Sequence, residues 1–241
     1  MPNASPLPPT AEARLAAVRT RIERATAGRD VQLLAVSKTQ PAEAIAALAT
    51  CGQTAFGETY VQEAAAKIGT LAGRGLRWHL IGHLQSNKAA QAAALFDCIE
   101  SVDRAKLLPL LDAARAASGR PPLDILLQVN IDDEASKSGC RPEDLPALAT
   151  AAAACPNLRL RGLMSIPAPV ADLALRRRSF SALRALFERL RADHPAVDAL
   201  SMGMSEDFEL AIAEGATEVR VGSALFGPRG GGSPASTMEN P

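Results

Sequence analysis

Short apolar runs recur along this chain, and each is followed by a stretch whose apolar residues fall three and four apart. The runs LLAVSK, TAFG, RWHLIG, CIESVD, DILLQVNI, LRLRGLMSI, ALSMGM and EVRVG read as strands. Eight strand–helix alternations are the count of a single (β/α)8 barrel, an α/β fold of the TIM type.

The intervening stretches carry helical signals of their own. After Pro41, which a first turn tolerates, Ile45, Leu48 and Ala49 follow the i, i+3, i+4 pattern, and Gly52 supplies a stop. Between Asp103, read as a cap, and Gly119, one face carries Leu107, Leu110, Leu111 and Ala114. The longest helix is predicted from about Asp172 to Asp193, with Phe180, Leu183, Phe187 and Leu190 in one stripe. Such stripes are the faces that pack on a barrel wall. An extra N-terminal helix precedes the first strand, with Leu15, Val18 and Ile22 on one side and arginines on a solvated side, placed to close the barrel bottom or lie on its flank. The Pro-rich residues 1–9 and the Gly/Ser/Pro-rich residues 228–241 read as disordered tails around one domain over 10–227.

Composition narrows the function. With 241 residues, 47% of them hydrophobic, the chain can build one substantial core. Lysine plus arginine and aspartate plus glutamate balance at 26 each, and one Trp, one Tyr and six Phe offer little for base stacking, so nucleic acid is not an expected partner. No apolar run approaches the roughly 20 residues that span a bilayer, and the first residues lack the basic-then-apolar order of a secretory signal, which gives a cytoplasmic expectation with no membrane partner. Cys51, Cys98, Cys140 and Cys155 form no CxxC pair and are expected as reduced thiols. His79 and His83 are close enough in sequence to consider as two metal ligands, but Gly82 is expected to end the strand between them, and no metal is expected.

The candidate chemistry begins at Lys38, where the first strand ends. Partial burial there would favour a neutral amine able to form an imine with a carbonyl compound; the plainer alternative is a solvated lysine at a strand end. In barrels of this type chemistry gathers at the carboxyl ends of the strands, and the loops after strands 7 and 8 often hold a phosphate. Ser205, in SMGMSED, stands where a helix cap is expected. Gly222 permits close backbone approach, and Ser223 offers a hydroxyl at the start of a short helix. Strands 8 and 1 become neighbours on closure, so amine and anion-suited turns converge, as a phosphorylated aldehyde requires.

Six segments, LLAVSKTQP, FGETYVQEA, WHLIGHLQSNKA, QVNIDDEASKSG, GLMSIP and LSMGMSEDFELAIAEGATEVRVGSALFG, resemble in order the pyridoxal phosphate homeostasis proteins, over nearly all of residues 10 to 227. The resemblance implies a barrel similar to the N-terminal domain of alanine racemase that holds pyridoxal 5′-phosphate without established turnover. It places Lys38 as the Schiff-base lysine, Ser205, Gly222 and Ser223 at the phosphate, and Arg220 near the pyridine nitrogen, where a fixed cation weakens the ring as an electron sink. The plain alternative for Arg220 is a surface ion pair. His79, Asn87 and Lys137 are implied at the mouth, with Met164 below the ring; His79 reads equally as a satisfied core histidine. Thr59 is implied as a further cofactor-binding position, but it departs from the family's FGENYVQE: it keeps a hydroxyl and loses the amide that would hydrogen-bond the cofactor.

Two-base racemisation is not expected, because nothing after the eighth strand can build the racemase's second domain and Tyr60 is no evident substitute for its acid/base tyrosine. The resulting expectation is a non-catalytic, monomeric carrier in vitamin B6 homeostasis, with pyridoxal phosphate as ligand and apoenzymes as recipients. The alternative is an aldolase-type or racemase/decarboxylase-type Schiff-base enzyme. An aldolase needs an acid/base near Lys38, where only Ser37 and Thr39 adjoin and Glu58 and Asp103 lie further round.

Overall fold

The computed structural model describes residues 9–134, 138–168 and 172–227. The expected tails, apart from Pro9, and Lys137 lie outside the described residues. The strands are β1 (Gln32–Val36), β2 (Ala55–Glu58), β3 (Arg77–Leu80), β4 (Cys98–Val102), β5 (Leu123–Gln128), β6 (Leu158–Met164), β7 (Ala199–Ser201) and β8 (Glu218–Val221). All pair in parallel, in chain order, into a closed barrel. Closure falls between β1 and β8, where Leu34 lies opposite Arg220 and Ala35 opposite Val221.

A parallel sheet wrapped by helices leaves its strands no wet face, and the residues obey that constraint. Every residue of β4, β5 and β8 is buried. Around the strands run α1 (Ala11–Thr26), α2 (Ala42–Thr50), α3 (Val61–Thr70), α4 (Ala89–Leu95), α5 (Leu107–Ser118), α6 (Leu145–Ala153), α7 (Leu173–Asp193), α8 (Phe208–Ala213) and α9 (Ser223–Phe226). The predicted stripe Phe180, Leu183, Phe187 and Leu190 is the buried face of α7. Full burial of each such side chain stabilises by roughly 1.5–3 kcal/mol. Asp172 caps α7, its carboxylate accepting from the N–H groups of Ala174 and Leu175.

The N-terminal helix α1 buries Leu15, Val18 and Ile22 and packs along α2, α8 and α9, so it covers the flank at the β1–β8 seam. Two local expectations fail. Asp103 does not cap α5, which starts at Leu107 behind Lys106; its carboxylate instead meets Arg104. Leu110 is 40% exposed, on the outer side of a helix that buries Leu107, Leu108 and Leu111. Among the described residues no helix is long and apolar enough to cross a membrane, and all four cysteines are free.

Candidate functional site

Lys38, Arg220, Ser205, Gly222 and Ser223 line one cavity of about 360 Å³. They come from three places: the turn two residues beyond β1, the end of β8 with its loop, and the loop after β7. The cavity falls in the range of about 300–1,000 Å³ typical of pockets for small ligands.

Lys38 is exposed at this mouth, so the protein does not supply the partial burial expected from sequence. What it supplies is placement. β1 delivers the amine opposite the loops after β7 and β8, and the next residue, Thr39, is held at φ 64°, an unusual conformation for a β-branched residue.

Ser205 is not a helix cap. α8 starts only at Phe208, behind Asp207, because Asp207 folds the preceding loop back: one carboxylate oxygen accepts the Met204 N–H at 2.7 Å and the other pairs with Arg176. Ser205 Oγ instead accepts the Gly222 N–H at 3.3 Å, tying the two loops together. A hydroxyl used as an acceptor keeps its own proton for another partner, such as an anion. The loop turns at Gly203, with φ 92°, where an added Cβ would stand 2.5 Å from that of Ala211. Gly222 differs, because a Cβ there would sit 3.4 Å from the Val36 carbonyl, ordinary contact. No protein neighbour demands glycine there, and its bareness keeps the cavity wall open. Ser223 opens α9, whose first turn leaves N–H groups without intrahelical acceptors.

Arg220 is buried, which removes the surface-ion-pair alternative. Its guanidinium donates to Ser201 Oγ and to the Ser165 carbonyl, each at 2.7 Å. Ser201 in turn donates to Glu100 at 2.7 Å, and the other Glu100 oxygen meets His79 Nδ1 at 2.8 Å. Burial pulls the Arg220 pKa down, opposed by the charges of Glu100 and Glu218. Burial would also lower that of His79, but the Glu100 hydrogen bond and the Glu218 and Glu100 charges leave it raised. Burial pushes Glu218 up to about 7, with the Glu100 charge adding to the rise. Glu100 itself is lowered: burial works against ionisation, and its hydrogen bond to His79 and the charges of His79 and Arg220 outweigh it.

The remaining sequence candidates do not line this cavity. His79 lies inside the barrel, with Nε2 buried and unpartnered. Its Nδ1 serves Glu100, whereas that of the half-exposed His83 meets Ser138 at 3.2 Å, so the two do not act as a ligand pair. His79, Cys98 and Glu100 do offer donor atoms within 4.8 Å of one another, but His79 and Glu100 are already spent on each other and on Ser201, and Arg220 places a cation in the same network. Met164 ends β6 and packs against Cys98 and Leu126. Asn87 sits in the short turn Ser86–Lys88. Thr59 follows β2 with its hydroxyl buried and unpartnered, beside a separate cavity with Tyr60 and Gly82.

Sequence reasoning missed Arg176, which reaches the cavity from α7 and pairs with Asp207, and the Ser201–Glu100 link behind Arg220. For Arg176 the signal was weak, since it lies in an RRR run that reads as a solvated face.

An amine and two serine-bearing loops that share one cavity at the mouth of a parallel barrel are the arrangement of a class of protein suited to a small phosphorylated carbonyl compound. The alanine racemase N-terminal domain family model matches residues 13–230. The pyridoxal phosphate homeostasis protein of Pseudomonas aeruginosa is 53% identical over 227 residues, covering 92% of this chain and 97% of that one. Its Escherichia coli namesake is 47% identical over 226 residues, with 89% and 95% covered. The solved structure of PipY from Synechococcus elongatus with pyridoxal phosphate bound superposes with TM-score 0.80 at 40% identity, covering 90% of this chain and all of that one. This chain belongs to the pyridoxal phosphate homeostasis family, within the alanine racemase N-terminal domain fold.

Proposed function

We propose that this protein holds pyridoxal 5′-phosphate reversibly through Lys38 and takes part in its intracellular homeostasis, without a catalytic turnover of its own. The observation that carries this reading is the single cavity shared by Lys38 and the Ser205–Gly222–Ser223 cradle. When bound, the ligand would supply an aldehyde, the electrophile with which the Lys38 amine, once neutral, could condense reversibly with loss of water.

The chain's residues divide the work of holding it. Lys38 provides the amine. Ser205 and Ser223 turn hydroxyls toward the phosphate, and Gly222 leaves it room. Arg220, fixed by Ser201 and Ser165, faces the ring as a permanent cation and disfavours a proton on the pyridine nitrogen. Thr59, His79 and Met164, expected from the sequence as cofactor contacts, stand outside this cavity and are given no direct part in holding the ligand here.

Of the two carboxylates weighed for an aldolase reading, Glu58 accepts from Ser37 and Lys67 and Asp103 pairs with Arg104, which supports holding over turnover; Glu206, in the cavity wall, is the carboxylate an enzymatic reading would have to use. The recipients we propose are apoenzymes, and the working form a monomer. Four free cysteines suit a cytoplasmic setting. The test is an absorbance titration with pyridoxal phosphate: the protein is expected to turn yellow and saturate at one equivalent, and a protein that stays colourless and releases all added ligand on dialysis refutes the reading.

A further inference from the structure

A second lysine, outside the cavity, is bonded to the backbone that carries the first. Lys67 on α3 is 7% exposed, and its ammonium donates to the Ser37 carbonyl at 2.8 Å, to Glu58 at 2.8 Å and to Glu63 at 2.6 Å. The same Glu63 oxygen accepts the Thr39 N–H at 2.6 Å. Ser37 Oγ closes the cluster by donating to Glu58 at 2.6 Å. One buried cation with its two carboxylates therefore grips the residue before Lys38 through its carbonyl and the residue after it through its N–H.

We infer that Lys67, with Glu58 and Glu63, is a positioning residue for Lys38: it holds the turn that aims the Lys38 amine into the cavity, and so sets how readily the covalent link to the cofactor forms and breaks. This rests on the reading of Lys38 as the imine-forming residue. The chemical reasoning has three parts. Thr39 sits at φ 64°, which a β-branched residue does not hold unless its surroundings impose it. Both flanking bonds are charge-assisted, about twice as strong as neutral ones. Neither Lys67 nor Glu58 lines the cavity, so the cluster acts on the amine through the chain rather than on the ligand.

The test separates covalent capture from simple binding. Deoxypyridoxine phosphate carries a methyl group in place of the aldehyde, so it reads the phosphate cradle and the ring site without the imine. In Lys67→Met we expect affinity for pyridoxal phosphate to fall about tenfold, equivalent to about 1.4 kcal/mol, and the imine absorbance to form more slowly, while affinity for the methyl analogue stays within about twofold. Glu63→Gln, at a less buried site, is expected to show the same split in a smaller degree and serves if Lys67→Met fails to fold. Thr39→Gly, which removes the conformational strain, is expected to restore much of the loss when added to either variant. Equal losses for both ligands, or wild-type capture in both variants, overturn the inference. A wild type that binds the methyl analogue but forms no imine refutes instead the underlying role of Lys38.

Discussion

Arg220 Nη1 donates to Ser201 Oγ at 2.7 Å, and that hydroxyl in turn donates a hydrogen bond to Glu100 at the same distance. Through one serine, the cation at the cavity wall is fixed to a carboxylate in the barrel interior. The serine could not be replaced by a purely accepting or purely donating group without breaking one side of the relay.

Removing the cation should therefore cost more than a surface charge. Arg220→Met removes two charge-assisted hydrogen bonds, to Ser201 and the Ser165 carbonyl, and the cation that faces Glu100 through Ser201, at a cost of about 1.5–3 kcal/mol. In a chain of this size that lowers the melting temperature by about 3–12 °C. Adding Glu100→Gln should recover part of the loss. Thermal unfolding of the two variants checks this, and a single variant within about 2 °C of wild type contradicts it.

Glu218 gives the fold a pH dependence. Its pKa is about 7 in the folded protein against 4.5 when unfolded. Between those values the folded state keeps a proton that the unfolded state releases, so this group's contribution is fully present below about pH 4.5 and is lost as pH rises through 7. His79, also raised, acts in the same direction; Glu100, lowered, acts oppositely and only in acid. Glu218→Gln mimics the protonated form and should be more stable than wild type at pH 8 by about 3 kcal/mol, with the two converging near pH 5. Denaturant midpoints across that range decide it; parallel profiles contradict it.

The phosphate cradle should separate binding from folding. Gly222→Ala adds a methyl group that meets Val36 only at ordinary contact distance, so unfolding is expected to change by less than about 0.5 kcal/mol. Affinity for pyridoxal phosphate should nevertheless fall about tenfold, because the added group narrows the wall that a phosphate approaches. Ser205→Ala, which would remove the hydrogen bond we propose to the phosphate, should also lose about tenfold or more. Isothermal titration beside thermal unfolding measures both, and unchanged affinity in both variants removes the phosphate from this end of the cavity.

How much of this was legible in the sequence depends on how local each signal is. The strands could be read because a parallel barrel buries them on both sides, leaving apolar runs such as DILLQV that nothing else interrupts. The α7 stripe was legible by periodicity alone. Ser205 misled because a serine before an apolar helix resembles a cap, whereas Asp207, paired with Arg176 and Met204, delays α8 until Phe208. Leu110 misled because apolar spacing cannot say which flank of a stripe the barrel covers. Lys67 left no trace: in AAAKIG it reads as a solvated helix position, and only the approach of α3 to the end of β1 buries it against Glu58. Arg220 reads as either a surface ion pair or a site cation, and the family resemblance, rather than spacing, pointed to the second.

The most direct measurement is reduction of the protein with borohydride in the presence of one equivalent of pyridoxal phosphate, followed by peptide mapping by mass spectrometry. The account predicts a single stoichiometric adduct on the peptide carrying Lys38. A reduced adduct confined to another lysine, or none at all, contradicts it.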